Sequence, residues 1–100
     1  MHHHNVYFWL KEELSTADLL DFENGLETLT RTAKVISGSF GKPANTSRPV
    51  IDSTYSYGLL LTFKDTTDQD NYQSDPIHLA FVNQHSAKWT RVIVYDVEVK

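Results

Sequence analysis

Tyr72, His78 and Phe81, spaced as Tyr72-x3-Pro76-x-His78-x2-Phe81, put a phenol and an imidazole beside what reads as a helix start. At neutral pH an imidazole can take a proton from an acidic C–H, and a tyrosine hydroxyl can hydrogen-bond the enolate oxygen that forms. The spacing predicts a pocket, with His78 as base and Tyr72 as electrophilic partner if chemistry occurs there. The same two residues also suit a purely structural role, because a buried Tyr and His must find partners in each other or in the backbone. His4 shares a strand face with Val6 and Phe8 and can reach this region to pair with Tyr57 or His78. A histidine so placed needs only that its ring nitrogens be bonded. His2 and His4 with His78 or His85 make a nitrogen-rich set, but no H-x-x-x-H spacing puts two ligands on one helix face. Neither a metal nor another cofactor is expected.

Composition limits the alternatives. A chain of 100 residues, 40% hydrophobic and 22% charged, suits one small domain over 1–100 and leaves no room for a separate catalytic one. There is no cysteine, so disulfides and thiolate metal sites are excluded and an intracellular, cytoplasmic protein is the expectation. The net charge of −4 is spread along the chain. No basic patch is there to displace counterions, so nucleic acid is not an expected partner. No apolar run approaches the ~20 residues of a membrane span, and no secretory leader is evident. His2-His3-His4 is short for a purification tag and runs straight into a strand, so it reads as native.

These residues need elements to position them. Residues 4–11 alternate His4, Val6, Phe8, Leu10 with Asn5, Tyr7, Trp9, Lys11, which predicts a strand with apolar bulk on both faces. Ser15 followed by Asp18 predicts a helix start, and Leu19, Phe22, Leu26, Leu29 and Ala33 form its apolar stripe. Gly25 inside that helix is either a tolerated defect or a point of close packing. Val35–Gly41 reads as a weak strand, 42–53 as a surface connection, and Thr54–Phe63 as a long strand central to the sheet. Asp65 caps a short helix to about Ser74, Asp75-Pro76 starts another, and a last strand begins near Thr90. The order predicts an α+β, ferredoxin-like antiparallel sheet backed by helices.

Helices can cover only the face bearing Val6, Phe8, Leu59, Leu61 and Val94. The other face carries Tyr7, Trp9, Leu60, Ile93, Tyr95 and Val97, a patch monomers rarely leave bare. Burying several hundred Å² of it against a second copy is worth roughly 10 kcal/mol before association costs, at ~25 cal/mol per Å². A homodimer with sheets face to face is predicted. No interleaved Lys or Arg marks Tyr7, Trp9 and Tyr95 as a base-stacking platform, so they read as interface.

Four segments together carry a family likeness: His4-x-Val6-x-Phe8-x-Leu10-Lys11, Tyr55–Phe63, the Tyr72 to Phe81 motif, and Trp89-x5-Tyr95-Asp96. In that order they resemble the stress-responsive A/B barrel domain family of the dimeric α+β barrel superfamily. The resemblance spans nearly the whole chain and implies a ferredoxin-like fold that closes into a dimeric α/β barrel. Most such proteins have no assigned reaction, and fold alone does not decide one. One plant branch consists of polyketide cyclases, in which a Tyr and a His at the places of Tyr72 and His78 act in an intramolecular aldol condensation. The resemblance would then line the cavity with His4, Val6, Phe8, Phe22, Leu26, Tyr57, Leu59, Phe81, Trp89, Val92 and Val94. This chain departs at Tyr57, where those cyclases carry histidine. Three readings follow: a dimer binding a small hydrophobic or carbonyl ligand, a cyclase-like or lyase-like enzyme, and a structural or interaction dimer. A cavity of ~300 Å³ or more favours the first two, and the bulk at 57, 81 and 89 leans toward a smaller one.

Overall fold

The computed structural model describes residues 1–100 and runs β1 (His2–Leu10), α1 (Thr16–Thr30), β2 (Ser37–Gly41), β3 (Tyr57–Phe63), α2 (Thr66–Gln73), α3 (Pro76–His85) and β4 (Trp89–Glu98). A short 3₁₀ turn at Ser86–Lys88 leads into β4. The strands form one antiparallel sheet in the order β2-β3-β1-β4, so β1 and β3 lie inside it. No helix is long and apolar enough to cross a membrane.

The sheet does not close. β2 and β4 are free edges, which overturns the expected closure into a barrel. Four strands are about half the number that makes the smallest filled barrel, and β2, five residues long, pairs with β3 alone.

Local chemistry accounts for the helices. Ser15 accepts from the Asp18 N–H and Asp18 from the Ser15 N–H, closing a capping box. Phe22, Leu26 and Leu29 of α1 are buried on Val6, Phe8, Leu59, Leu61 and Phe63 of the sheet. The helix ends before the predicted Ala33, which is exposed. Thr32 folds back there, its hydroxyl donating to the Leu29 carbonyl at 2.9 Å. Gly25 is a point of close packing: a Cβ there would lie 2.6 Å from His85 Nε2 of α3.

β1 begins at His2, two residues earlier than the alternation predicts, and β3 begins at Tyr57 rather than Thr54. Ser56 still bonds the neighbouring strand, its N–H donating to the Phe8 carbonyl at 2.7 Å, but its hydroxyl takes the Leu10 N–H. The chain then turns away at Thr54, held to Asp52. The segment before β3 therefore folds onto the outer face of the sheet. Trp9 Nε1 donates to Thr54 Oγ1 at 2.9 Å, and Tyr55 packs edge-on to Tyr7 and Trp9. Tyr7, Trp9 and Ile93 are thereby half-buried, while Leu60 (45%), Tyr95 (60%) and Val97 (50%) remain exposed. Arg91, on the same face of β4 as Ile93 and Tyr95, sits over the Trp9 ring at 4.6 Å, so the expectation that no Lys or Arg stands among these aromatics does not hold. Val94 lies on the helix side as expected but is 46% exposed, because the helices do not reach across the β4 edge.

Candidate functional site

The junction between α2 and α3 sets Tyr72 and His78 side by side. Asp75 ends the turn, its N–H donating to the Tyr72 carbonyl at 3.0 Å, and its side chain caps α3 by accepting from Ile77 N–H at 2.8 Å. Pro76 follows where no N–H is needed. Tyr72, in the last turn of α2, and His78, in the first turn of α3, bring their rings to 4.8 Å. His78 Nδ1 lies 3.1 Å from the Gln73 carbonyl. A carbonyl only accepts, so the proton is on Nδ1 and Nε2 carries a lone pair. Burial holds His78 below the ordinary histidine value of 6.5, so this imidazole is neutral at pH 7.

Tyr72 is buried among Phe63, His4 and His78, and its hydroxyl forms no hydrogen bond within the chain. Burial pushes the phenol well above its usual value, so it stays protonated and able to donate.

His4 is the third residue of β1. It pairs in register with Asp96 of β4, and its Nδ1 lies 2.6 Å from Asp96 Oδ1. Burial opposes the charge on Asp96, but its bonds to Gln69 and His4 outweigh that and hold it below the usual 3.8. An ionised carboxylate accepts, so His4 holds a proton on Nδ1, and its Nε2 has no partner within the chain.

These three side chains line one cavity of about 150 Å³ between the sheet and the helices. Val6, Phe8, Leu59, Phe81, Trp89, Val92 and Val94 share its wall, along with Leu29, Gln73 and Val82. Phe81 and Trp89 stack at 6.1 Å and Trp89 approaches Phe8 at 5.3 Å, so both belong to the wall. Phe22, Leu26 and Tyr57, named through the family likeness, do not line it. Phe22 and Leu26 are fully buried in the core. The Tyr57 hydroxyl donates to the Glu23 carboxylate of α1, away from the cavity. His85 sits at the far end of α3, against Phe22 and Lys88, and does not join His4 and His78.

Asp96 is the site residue that inspection of the sequence passed over. Its signal was the run Val92-x-Val94-x-Asp96, an acid on the inner face of an otherwise apolar strand. Reading it required the register that sets residue 96 opposite residue 4.

An open antiparallel sheet with helices on one face and a small cavity beneath them defines a ferredoxin-like α+β protein. The chain belongs to the stress responsive A/B barrel domain family, whose pattern matches residues 3–99. Among solved structures it is similar to a Dabb family protein with a ferredoxin-like fold from Mesorhizobium loti, 22% identical, covering 99% of this chain and 96% of that one at a TM-score of 0.79. A dimeric ferredoxin-like protein of unknown function from Jannaschia is 22% identical, with 98% of each chain covered at a TM-score of 0.76. The hydroxynitrile lyase of Passiflora edulis is 17% identical, covering 99% and 93% at a TM-score of 0.81. At these identities the likeness shows the fold. No curated protein matches the chain in sequence.

Proposed function

We propose that this chain is a homodimeric small-ligand protein whose cavity takes a small, mostly apolar carbonyl compound. The observation that carries the reading is that Tyr72 Oη, His78 Nε2 and His4 Nε2, all without partners in the chain, belong to residues lining a cavity that is otherwise chiefly apolar. Apolar walls supply affinity for a hydrocarbon body, and a few polar groups set its orientation. Tyr72 donates to the carbonyl oxygen. At about 150 Å³ the cavity falls short of the ~300 Å³ that favours a ligand, so it excludes large polyketides and admits only a compound of a few carbons.

A second reading adds turnover, and the neutral His78 favours it. With its proton on Nδ1, Nε2 accepts a proton from the carbon beside the carbonyl while Tyr72 stabilises the enolate. A hydroxynitrile lyase shares the fold, so the fold accommodates lyase chemistry. Cyclohexanone in D2O tests both readings. Quenching of tryptophan fluorescence, with Trp89 in the cavity wall, reports binding, and exchange of the α-hydrogens for deuterium reports proton abstraction. Binding that His78→Ala leaves intact, with exchange lost, supports catalysis; exchange unchanged in His78→Ala rejects His78 as the base. Absence of binding by cyclohexanone and by smaller ketones rejects the ligand reading.

The dimer rests on the outer face of the sheet, where Leu60, Tyr95 and Val97 stay uncovered beside Tyr7, Trp9 and Ile93. The Jannaschia protein of the same fold is dimeric.

A further inference from the structure

Gln69 of α2 is a buried amide with both ends in use. Its Nε2 donates to Asp96 Oδ2 at 3.1 Å, and its Oε1 bonds His2 Nε2. Chemistry assigns the directions. A carboxylate only accepts, so the amide nitrogen faces Asp96, the amide oxygen faces His2, and His2 must hold its proton on Nε2. His2 Nε2 also lies 3.8 Å from Asp96 Oδ1, the oxygen that His4 bonds. His2, Gln69, Asp96 and His4 thus form one directed chain across β1, α2 and β4, with every donor pointing toward the carboxylate.

We propose that His2 and Gln69 are positioning residues for the cavity's imidazole. They hold Asp96 in the orientation that keeps the His4 proton on Nδ1 and leaves its Nε2, which has no partner in the chain, available to a ligand. The proposal rests on the carbonyl-binding reading of the cavity. Two features separate it from simple space filling. First, the Asp96 side chain is 38% exposed, so water can satisfy it without Gln69. What the amide adds is direction, since it pins Oδ2 while His4 takes Oδ1. Second, the arrangement carries a cost. His2 is 5% and Gln69 7% exposed, and His2 Nδ1 is buried with no partner at all. Apolar residues at 2 and 69 would fill the same space without stranding that nitrogen.

Long-range ¹H–¹⁵N correlation on the full chain reads the His4 tautomer directly, with no ligand present. At a pH where its imidazole is neutral, His4 of the unaltered protein shows one protonated nitrogen, Nδ1, and one bare nitrogen, Nε2. In Gln69→Leu and, separately, His2→Phe, the two nitrogen shifts converge as the single tautomer is lost. A single Nδ1-protonated tautomer persisting in both variants overturns the proposal. Should Gln69→Leu fail to fold, His2→Phe decides alone, since it keeps the bulk at that position. If the unaltered protein neither binds nor exchanges cyclohexanone, the carbonyl reading fails, while the tautomer result still decides what His2 and Gln69 do.

Discussion

The Tyr72 hydroxyl is the most economical probe of the cavity, because it has no partner within the fold to lose. Tyr72→Phe is expected to leave Tm unchanged while weakening cyclohexanone by up to about tenfold, the value of one hydrogen bond. Equal affinity, measured by tryptophan fluorescence, would remove Tyr72 from carbonyl recognition. His78 and His85 make a separate prediction about pH. Burial lowers both from 6.5, with the Lys88 charge adding to the effect at His85. As the pH falls through 6.5 the unfolded chain takes up protons first, so stability is full above that value. It then declines until the lowered folded values are passed. Asp96, held below 3.8, adds a further loss as the pH falls through its own folded value. Thermal melts between pH 8 and pH 5 should show the first decline, and His85→Gln should flatten it. An equal slope in that variant would place the proton uptake elsewhere.

At the scale of elements, the contact between α1 and α3 is set by a missing side chain. Gly25→Ala gains about 1 kcal/mol of helix propensity. Its new Cβ, however, would stand 2.6 Å from Nε2 and 2.9 Å from Cδ2 of a His85 ring that has almost no exposed surface to move into. A net loss of about 1–3 kcal/mol is expected in denaturant melts, as for other overpacked cores. Combining it with His85→Ala should recover part of that loss, and strict additivity would refute the clash. The sequence made such elements readable where the signal is local. Ser15 with Asp18 and Asp75 with Pro76 mark helix starts through bonds a few residues long, and the alternation in β1 and β3 displays which side chains share a face. Failures occurred where the cause lies far along the chain. Thr54 and Tyr55 look like strand residues but fold onto Trp9 and Tyr7, some 45 positions away. Asp96 acquires a role only through a partner 92 residues distant. The barrel expectation came from the likeness alone, and four strands with a short β2 edge leave the sheet open.

For the molecule as a whole, the uncovered outer face predicts self-association. Tyr95→Asp places a charge at its most exposed aromatic without disturbing the Trp9 to Thr54 bond, and is expected to halve the mass seen in analytical ultracentrifugation. Trp9→Asp should do the same while also releasing the covering segment. A dimer persisting in both variants would move the interface elsewhere. The arrangement of the sheet also has a consequence in time. β1 lies between β3 and β4, and the Val99 N–H closes onto the Met1 carbonyl at 3.0 Å. The first strand made therefore waits for the last one. During synthesis a segment apolar on both faces keeps one edge unpaired until residues 89–98 emerge. Pairings between such distant segments form slowly, and bare strand edges invite aggregation. His4 acquires its carboxylate only at that final docking, so a chain stalled before β4 holds Tyr72, His78 and His4 but not the acid that His4 bonds.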